Sequence, residues 1–306
     1  MTQDRPFVGI LLMLGFCILA PLGDATAKYL GQNMSVGFLV FVRFAMQAAI
    51  FLALVALLSC PMPKGRWLIG MTALRTVLHI AGLGAMFAAL QYLPLADAIA
   101  IAFVMPFIML LLGWAFLGEE VGPQRLAACA VGFVGTLLVV QPNFAEVGAP
   151  ALLPLAVAVF FSFFMLVTRK IAKDVDPIGL QAQSGLMAVP FVGLGLLIWP
   201  ETTLFAMTPI VGFEWVLLAI LGVLGAVAHL MMTWSLRYAP SATLAPMQYL
   251  EIPISTVVGY FIFWDLPNGL AALGICITIA AGLYIILRER RLATPRPQPP
   301  TPPAEA

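Results

Sequence analysis

Ten times along this chain an apolar run of about twenty residues passes before a turn-forming break. The runs lie at roughly 7–29, 35–58, 67–90, 94–117, 123–140, 150–170, 178–199, 212–236, 241–264 and 268–288. A helix needs about 20 mainly apolar residues to cross the hydrocarbon of a bilayer. Only 9% of the 306 residues are charged and 62% are hydrophobic, whereas an average soluble domain is about a quarter charged. Water would not solvate such a surface and lipid would. The predicted fold is all-α and integral to a membrane, with ten transmembrane helices and the lipid bilayer as a partner.

The breaks carry turn chemistry: Gly31-Gln32-Asn33, Pro61-Met62-Pro63, Pro94, Gly122-Pro123, Gln141-Pro142-Asn143, Asp176-Pro177, Pro200, Pro240 and Pro267-Asn268-Gly269. Most are short, so neighbouring helices are antiparallel and in contact. With the N-terminus placed in the cytoplasm, the inside segments hold Arg5, Lys64, Arg66, Arg125, Arg169, Lys170, Lys173, Arg237, Arg288, Arg290, Arg291 and Arg296. The outside segments then hold only Lys28, and Arg43 and Arg75 fall within spans. This bias predicts both termini inside. The first run is read as a helix rather than a cleaved signal, although "DATA" imitates a cleavage site. Residues 293–306, rich in proline and without an apolar face, are expected to be disordered.

Two stretches resemble one another, "LQYLPLADAIAIAFVMPFIML" from Leu90 and "LRYAPSATLAPMQYLEIPIST" from Leu236. Leu, Tyr, Pro and Ala coincide at 90/236, 92/238, 94/240 and 96/242, and each stretch runs on to an acid-containing exit, "FLGEEVGP" or "FWDLPNG". The spacing is five spans, an odd number. The halves, 5–142 and 149–290, are therefore expected to insert with opposite orientation, an arrangement common in secondary transporters.

At this point the chain resembles a known family. The "R-F" of "FVRFAMQAAIFLAL", the block "YLPLADAIAIAFVMPFIMLLLGWAFLGEE" and "GICITIAAGLYIILR" resemble the drug/metabolite transporter superfamily, in its ten-helix EamA-type branch. The family pattern places an acid after the fourth and ninth helices; Glu119 or Glu120 fits the first, and Asp265 stands where Glu is more usual in the second. The resemblance implies a multi-pass protein of a bacterial-type inner membrane that moves small metabolites without ATP.

A charged residue at mid-membrane costs about 2.5–3.5 kcal/mol on insertion scales, so those that persist face a cavity or a partner. Arg75 and His79 share a helical face with Gly82 and Met86. They read either as a cation and an imidazole lining a cavity or as a tie to another helix. Glu251 lies between Pro246 and Pro253 and shares a face with Gln248 and Ser255. It reads as a proton-coupling carboxylate, a counter-ion for a cationic substrate, or a salt-bridge partner of Arg75. His229 sits in span eight near Thr233 and Trp234, either packed or functional. Arg75, His79, His229, Gln248, Tyr249 and Glu251 form the set assigned to substrate, and Glu251 is the coupling candidate. Asp24, Lys28, Arg43, Gln47 and Asp97 are assigned gate or structural roles: Asp24 and Lys28 neutralise one another at i and i+4, Arg43 and Gln47 share a face, and Asp97 opens span four. Trp67, Trp199, Trp215 and Trp264 fall near span ends, as an interfacial belt requires.

Cys17, Cys60, Cys129 and Cys276 have no metal-ligand spacing, and no HExxH pattern occurs. No metal or cofactor is expected. A net charge of +1 gives no reason to expect nucleic acid. "LGD" at Leu22–Asp24 is a fragment of an intramembrane protease motif, but no second aspartate accompanies it at comparable depth. A channel or membrane scaffold is the remaining alternative. The mixed polar set suits a zwitterionic or aromatic, heterocyclic metabolite, such as an amino acid derivative, a riboflavin-like vitamin or an adenosyl metabolite. A coupling proton is a further candidate partner, and a monomer or homodimer is the expected assembly.

Overall fold

The computed structural model describes residues 5–140, 148–264 and 269–293. Every regular element among them is helical: α1 Pro6–Leu30, α2 Val36–Leu58, α3 Arg66–Leu90, α4 Leu95–Ala102, α5 Met105–Leu117, α6 Pro123–Val140, a 3-10 turn at Ala149–Ala151, α7 Leu152–Ile171, α8 Pro177–Ile198, α9 Glu214–Tyr238, α10 Ser241–Gln248, α11 Glu251–Phe263 and α12 Gly269–Ala293. Seven stretches are long and apolar enough to cross a membrane: α1, α2, α3, α7, α8, α9 and Leu95–Leu117, which joins α4 to α5. Pro123–Leu138 and Ala272–Tyr284 are shorter apolar helices. Asp265 and most of the predicted proline-rich tail lie outside the described residues.

The fourth and ninth predicted spans are each broken in the middle. The break after α4 has a plain cause. Pro106 has no N–H for the carbonyl of Ala102, four residues back, and Ala102 is where α4 ends. After α10, Pro253 does the same to the carbonyl of Tyr249 at the break itself. Tighter i to i−3 bonds bridge both gaps, from Phe103 N–H to Ala100 and from Leu250 N–H to Met247, each at 3.1 Å. The two broken pairs match in length, 8 and 13 residues each. Both second pieces end on a left-handed residue, Gly118 at φ 64° and Trp264 at φ 60°. In lipid such interruptions persist only where protein or a cavity surrounds the freed backbone.

The principal helix pairs are α1 with α9, α2 with α8, α3 with α7 and α6 with α12. Lipid supplies no hydrophobic drive between helices, so close packing of small residues holds such pairs together. A Cβ added to Gly185 of α8 would lie 2.9 Å from the Ala48 backbone of α2, and one added to Gly135 of α6 would lie 2.9 Å from the Gly274 carbonyl of α12. Large apolar side chains such as Leu57, Phe116, Phe191, Leu197 and Phe261 face outward, as do Trp67, Trp199, Trp215 and Trp264. That distribution fits a lipid-facing perimeter with an aromatic belt.

A buried polar cluster ties the bundle beneath its centre. Arg75 is fully buried. Its Nε donates to Thr168 Oγ1 at 2.9 Å, Nη1 to Ser184 Oγ at 2.8 Å, and Nη2 to Thr233 Oγ1 and Gln181 Oε1 at 3.4 and 3.5 Å. The guanidinium also lies 4.6 Å from the centre of the Phe164 ring. One side chain on α3 thus fastens α7, α8 and α9.

Two outcomes follow from this packing. Gly185→Val should lose about 1–3 kcal/mol to overpacking, read as a lower Tm in detergent; an unchanged Tm would contradict the close α2–α8 contact. Arg75→Lys should also lower Tm, because an ammonium point charge does not reproduce a planar fork serving three helices. Equal stability would show the fork to be dispensable.

Candidate functional site

Above the Arg75 cluster, helices from both halves of the chain leave a central cavity. Its walls include Phe16, Ala20 and Asp24 of α1, Arg43 of α2, Leu83, Met86 and Phe87 of α3, and Ile99 and Ala102 of α4. Phe103 and Met105 come from the first helix break, Val157, Phe161 and Met165 from α7, Gly225 and His229 from α9, and Glu251 from α11. About 770 Å³ of atom-free space lies between these side chains, mouth included, but the centre of a water molecule can range over only about 70 Å³ of it. The cavity is therefore narrow, and a metabolite-sized occupant requires its walls to part.

The helix breaks decide who reaches the cavity. Glu251 is the first residue of α11, immediately after the interruption that Pro253 imposes. It is 7% exposed and lines the cavity. Asp24 of α1 lines the same cavity. Arg43 supplies the opposite charge. Its Nη1 donates to Gln47 Oε1 at 2.7 Å, and Nη2 donates to the Gly225 carbonyl at 2.7 Å and lies 2.9 Å from His229 Nδ1. An added Cβ on Gly225 would fall onto Arg43 Nε, so glycine is what admits the guanidinium. A guanidinium has only donors. Nδ1 of His229 also lies 3.0 Å from the Gly225 carbonyl, an acceptor, so its two contacts call for opposite tautomers, and Nε2 has no hydrogen-bond partner among the described residues.

His79 lies behind His229, outside the cavity lining. The two imidazoles stack with centres 4.3 Å apart and planes at 29°. Phe44, Phe161 and Phe164 surround His79 at 4.9, 5.9 and 4.5 Å, and neither of its ring nitrogens has a hydrogen-bond partner. A further chain of bonds connects the cavity to the Arg75 cluster. Gln47 Nε2 donates to the Gln181 backbone and side-chain oxygens at 2.9 and 3.1 Å, and Gln181 Nε2 donates to the His229 carbonyl at 2.8 Å.

The residues singled out in the sequence thus divide. Glu251 and His229 meet at the cavity, together with Asp24 and Arg43. Arg75 does not line it, and forms no ion pair with Glu251 among the described residues. The physical reason is register: Arg75 lies one turn before His79, which is itself sealed behind the lining. Gln248 is buried with Nε2 3.5 Å from the sulfurs of Met109 and Met165, and Tyr249 points its hydroxyl to the Phe103 carbonyl at 3.4 Å. Neither lines the cavity. Lys28 donates to the carbonyls of Leu90 and Leu93 at 3.2 and 2.5 Å. Asp97 falls in the first turn of α4, whose N-cap is Pro94. The Phe and Met walls escaped the sequence reading because a phenylalanine in an apolar helix carries no mark of which way it faces. The partners of Arg75 escaped it because they stand more than 90 residues away.

Known proteins place this geometry in a family. The profile of the EamA-like transporter family matches twice, over residues 7–141 and 149–288. A riboflavin transporter of Rhizobium johnstonii is 32% identical over 217 residues, 71% of this chain and 70% of that protein. An S-adenosylmethionine uptake transporter of Rickettsia bellii is 27% identical over 286 residues, 93% of this chain and 95% of that one. A riboflavin transporter of Vibrio cholerae is 24% identical over 296 residues, 94% and 96% of the two chains. One solved crystal structure superposes with a TM-score of 0.74, covering 94% of this chain and 98% of that one at 19% identity, which speaks to the fold alone. With the apolar helices described above, these matches make the protein a multi-pass inner-membrane transporter of small metabolites and not an enzyme. The chain belongs to the EamA-like transporter family.

Proposed function

We propose that this protein is a secondary transporter that works without ATP and moves a small zwitterionic or aromatic, heterocyclic metabolite by alternating access. Ten spans form two inverted five-helix repeats, 5–142 and 149–290, with both termini in the cytoplasm. The observation that carries the reading is the central cavity, to which both halves contribute, walled by Phe and Met and carrying Asp24, Arg43, His229 and Glu251. The matched pairs of broken helices support the repeat, and discontinuous helices at mid-bundle are where transporters of this architecture bind substrate. The cavity is complete within one chain, so a monomer suffices for transport, with a homodimer as the alternative assembly.

The chemistry narrows the substrate. Two carboxylates face one guanidinium, so the cavity favours an occupant with a positive group or a proton held on a carboxylate. Phe16, Phe87, Phe103 and Phe161 offer flat surfaces to a ring. The relatives point to two compatible chemistries. One is a three-ring flavin; the other is an adenosyl sulfonium bearing an amino acid. Glu251, buried and lining the cavity, is the group best placed to carry a coupling proton.

The direct test is thermal stabilisation of the purified protein across a metabolite panel that includes riboflavin and S-adenosylmethionine, followed by counterflow in proteoliposomes. At least one compound should both raise Tm and move; a panel in which none does so would overturn the reading. Glu251→Gln should abolish drive by a pH gradient while leaving exchange between equal compartments in place. A mutant still fully driven by pH would remove Glu251 from coupling. Asp24→Asn should weaken a cationic substrate about tenfold, the effect of about 1.4 kcal/mol, and leave a neutral ring compound nearly untouched. Equal losses for both would assign Asp24 a structural role.

A further inference from the structure

A buried ion pair with several further bonds stands at one end of the cavity. There the exit of α5 meets the last turn of α7 and the start of α10. Glu119 Oε1 lies 3.1 Å from Arg169 Nε, with the two side chains 10% and 9% exposed. Glu119 also accepts the backbone N–H groups of Ser241 and Ala242, each at 3.1 Å. These open α10 and have no acceptor within their own helix. Arg169 Nη1 in turn donates to the Leu236 carbonyl in the last turn of α9, at 2.7 Å. One carboxylate and one guanidinium therefore bind four elements together.

Helix periodicity connects this pair to the cavity. On α7, Val157, Phe161 and Met165 line the cavity, and Arg169 is the next residue at the same i+4 spacing. On α5, Met105 lines the cavity, and Met109, one turn on, is buried beside Gln248. A further turn on is Gly113, where an added Cβ would lie 3.0 Å from Glu119 Oε2. The faces that wall the cavity thus run out to the ion pair. The other end repeats the pattern. On α1, Phe16, Ala20 and Asp24 line the cavity and Lys28 follows at the same spacing. Lys28 holds the Leu90 carbonyl as Arg169 holds that of Leu236, and those two leucines coincide in the sequence repeat.

We propose that the Glu119–Arg169 pair is the latch that closes one end of the cavity, and that Lys28 on the Leu90 and Leu93 carbonyls is its counterpart at the other end. The proposal rests on the transporter reading above. Alternating access then opens one latch while the other holds. Because Glu119 caps α10 while pairing with α7, α10 does not swing away from α7 without releasing either the ion pair or both backbone bonds.

The test is thiol accessibility, which requires no substrate. In a background with Cys17, Cys60, Cys129 and Cys276 replaced by serine or alanine, Met109→Cys places a reporter between cavity and latch. A membrane-impermeant maleimide is applied to vesicles of both orientations. Glu119→Gln and Arg169→Gln should each speed labelling about tenfold, as a modest shift of a two-state equilibrium does. The gain should appear only from the face that bears Glu119. Arg169→Lys keeps the charge but not the fork that serves Glu119 and Leu236 together, so it should give an intermediate rate, and it decides the matter if the glutamine variants do not fold. Labelling at the starting rate in the folded variants, or equal gains from both faces, would overturn the latch. A protein that labels as expected yet transports nothing keeps the latch and loses the transporter reading; unchanged labelling in a protein that transports does the reverse.

Discussion

The bundle depends on one continuous buried polar chain: Arg43 to Gln47, Gln47 to Gln181, and Gln181 to Thr233 and Arg75. Two guanidinium groups sit inside a membrane protein, and each is held by a fan of neutral acceptors. Spreading a cation over several hydroxyl, amide and carbonyl oxygens offsets its desolvation without requiring a buried carboxylate for each arginine. The carboxylates are then left to face the cavity. Asp24 and Glu251 remain available to an occupant because Gln181, Ser184 and Thr168 already serve Arg75.

The two halves use the same scaffold for different chemistry. The broken pairs α4–α5 and α10–α11 match residue for residue in length, yet the first residue after the break is Met105 in one and Glu251 in the other. Both line the cavity. One helix break presents a soft apolar side chain to the cavity, the other a carboxylate.

Much of this was readable from residues alone. Apolar run length announced helices in lipid. Glu251 and His229 stood out because a polar group in an apolar helix has few reasons to be there. Arg75 stood out for the same reason, and the structure surrounds it with acceptors away from the cavity. A lone charge in a span signals that it has partners without saying whether they are protein or substrate. Arg43 shows the converse: its shared face with Gln47 was legible, but its approach to Gly225 and His229 spans more than 180 residues.

The sequence by itself determined the solvent, the helical class and the family, because hydropathy acts locally; it did not fix where helices break, since Pro21 and Pro190 sit inside continuous helices. Only the tertiary structure decided which polar residues share a cavity. That choice turns on helix rotation and cross-bundle pairing. A shift of one turn separates Arg75, fastened among hydroxyls, from His79 stacked behind the lining, and no local rule specifies which helix each will meet.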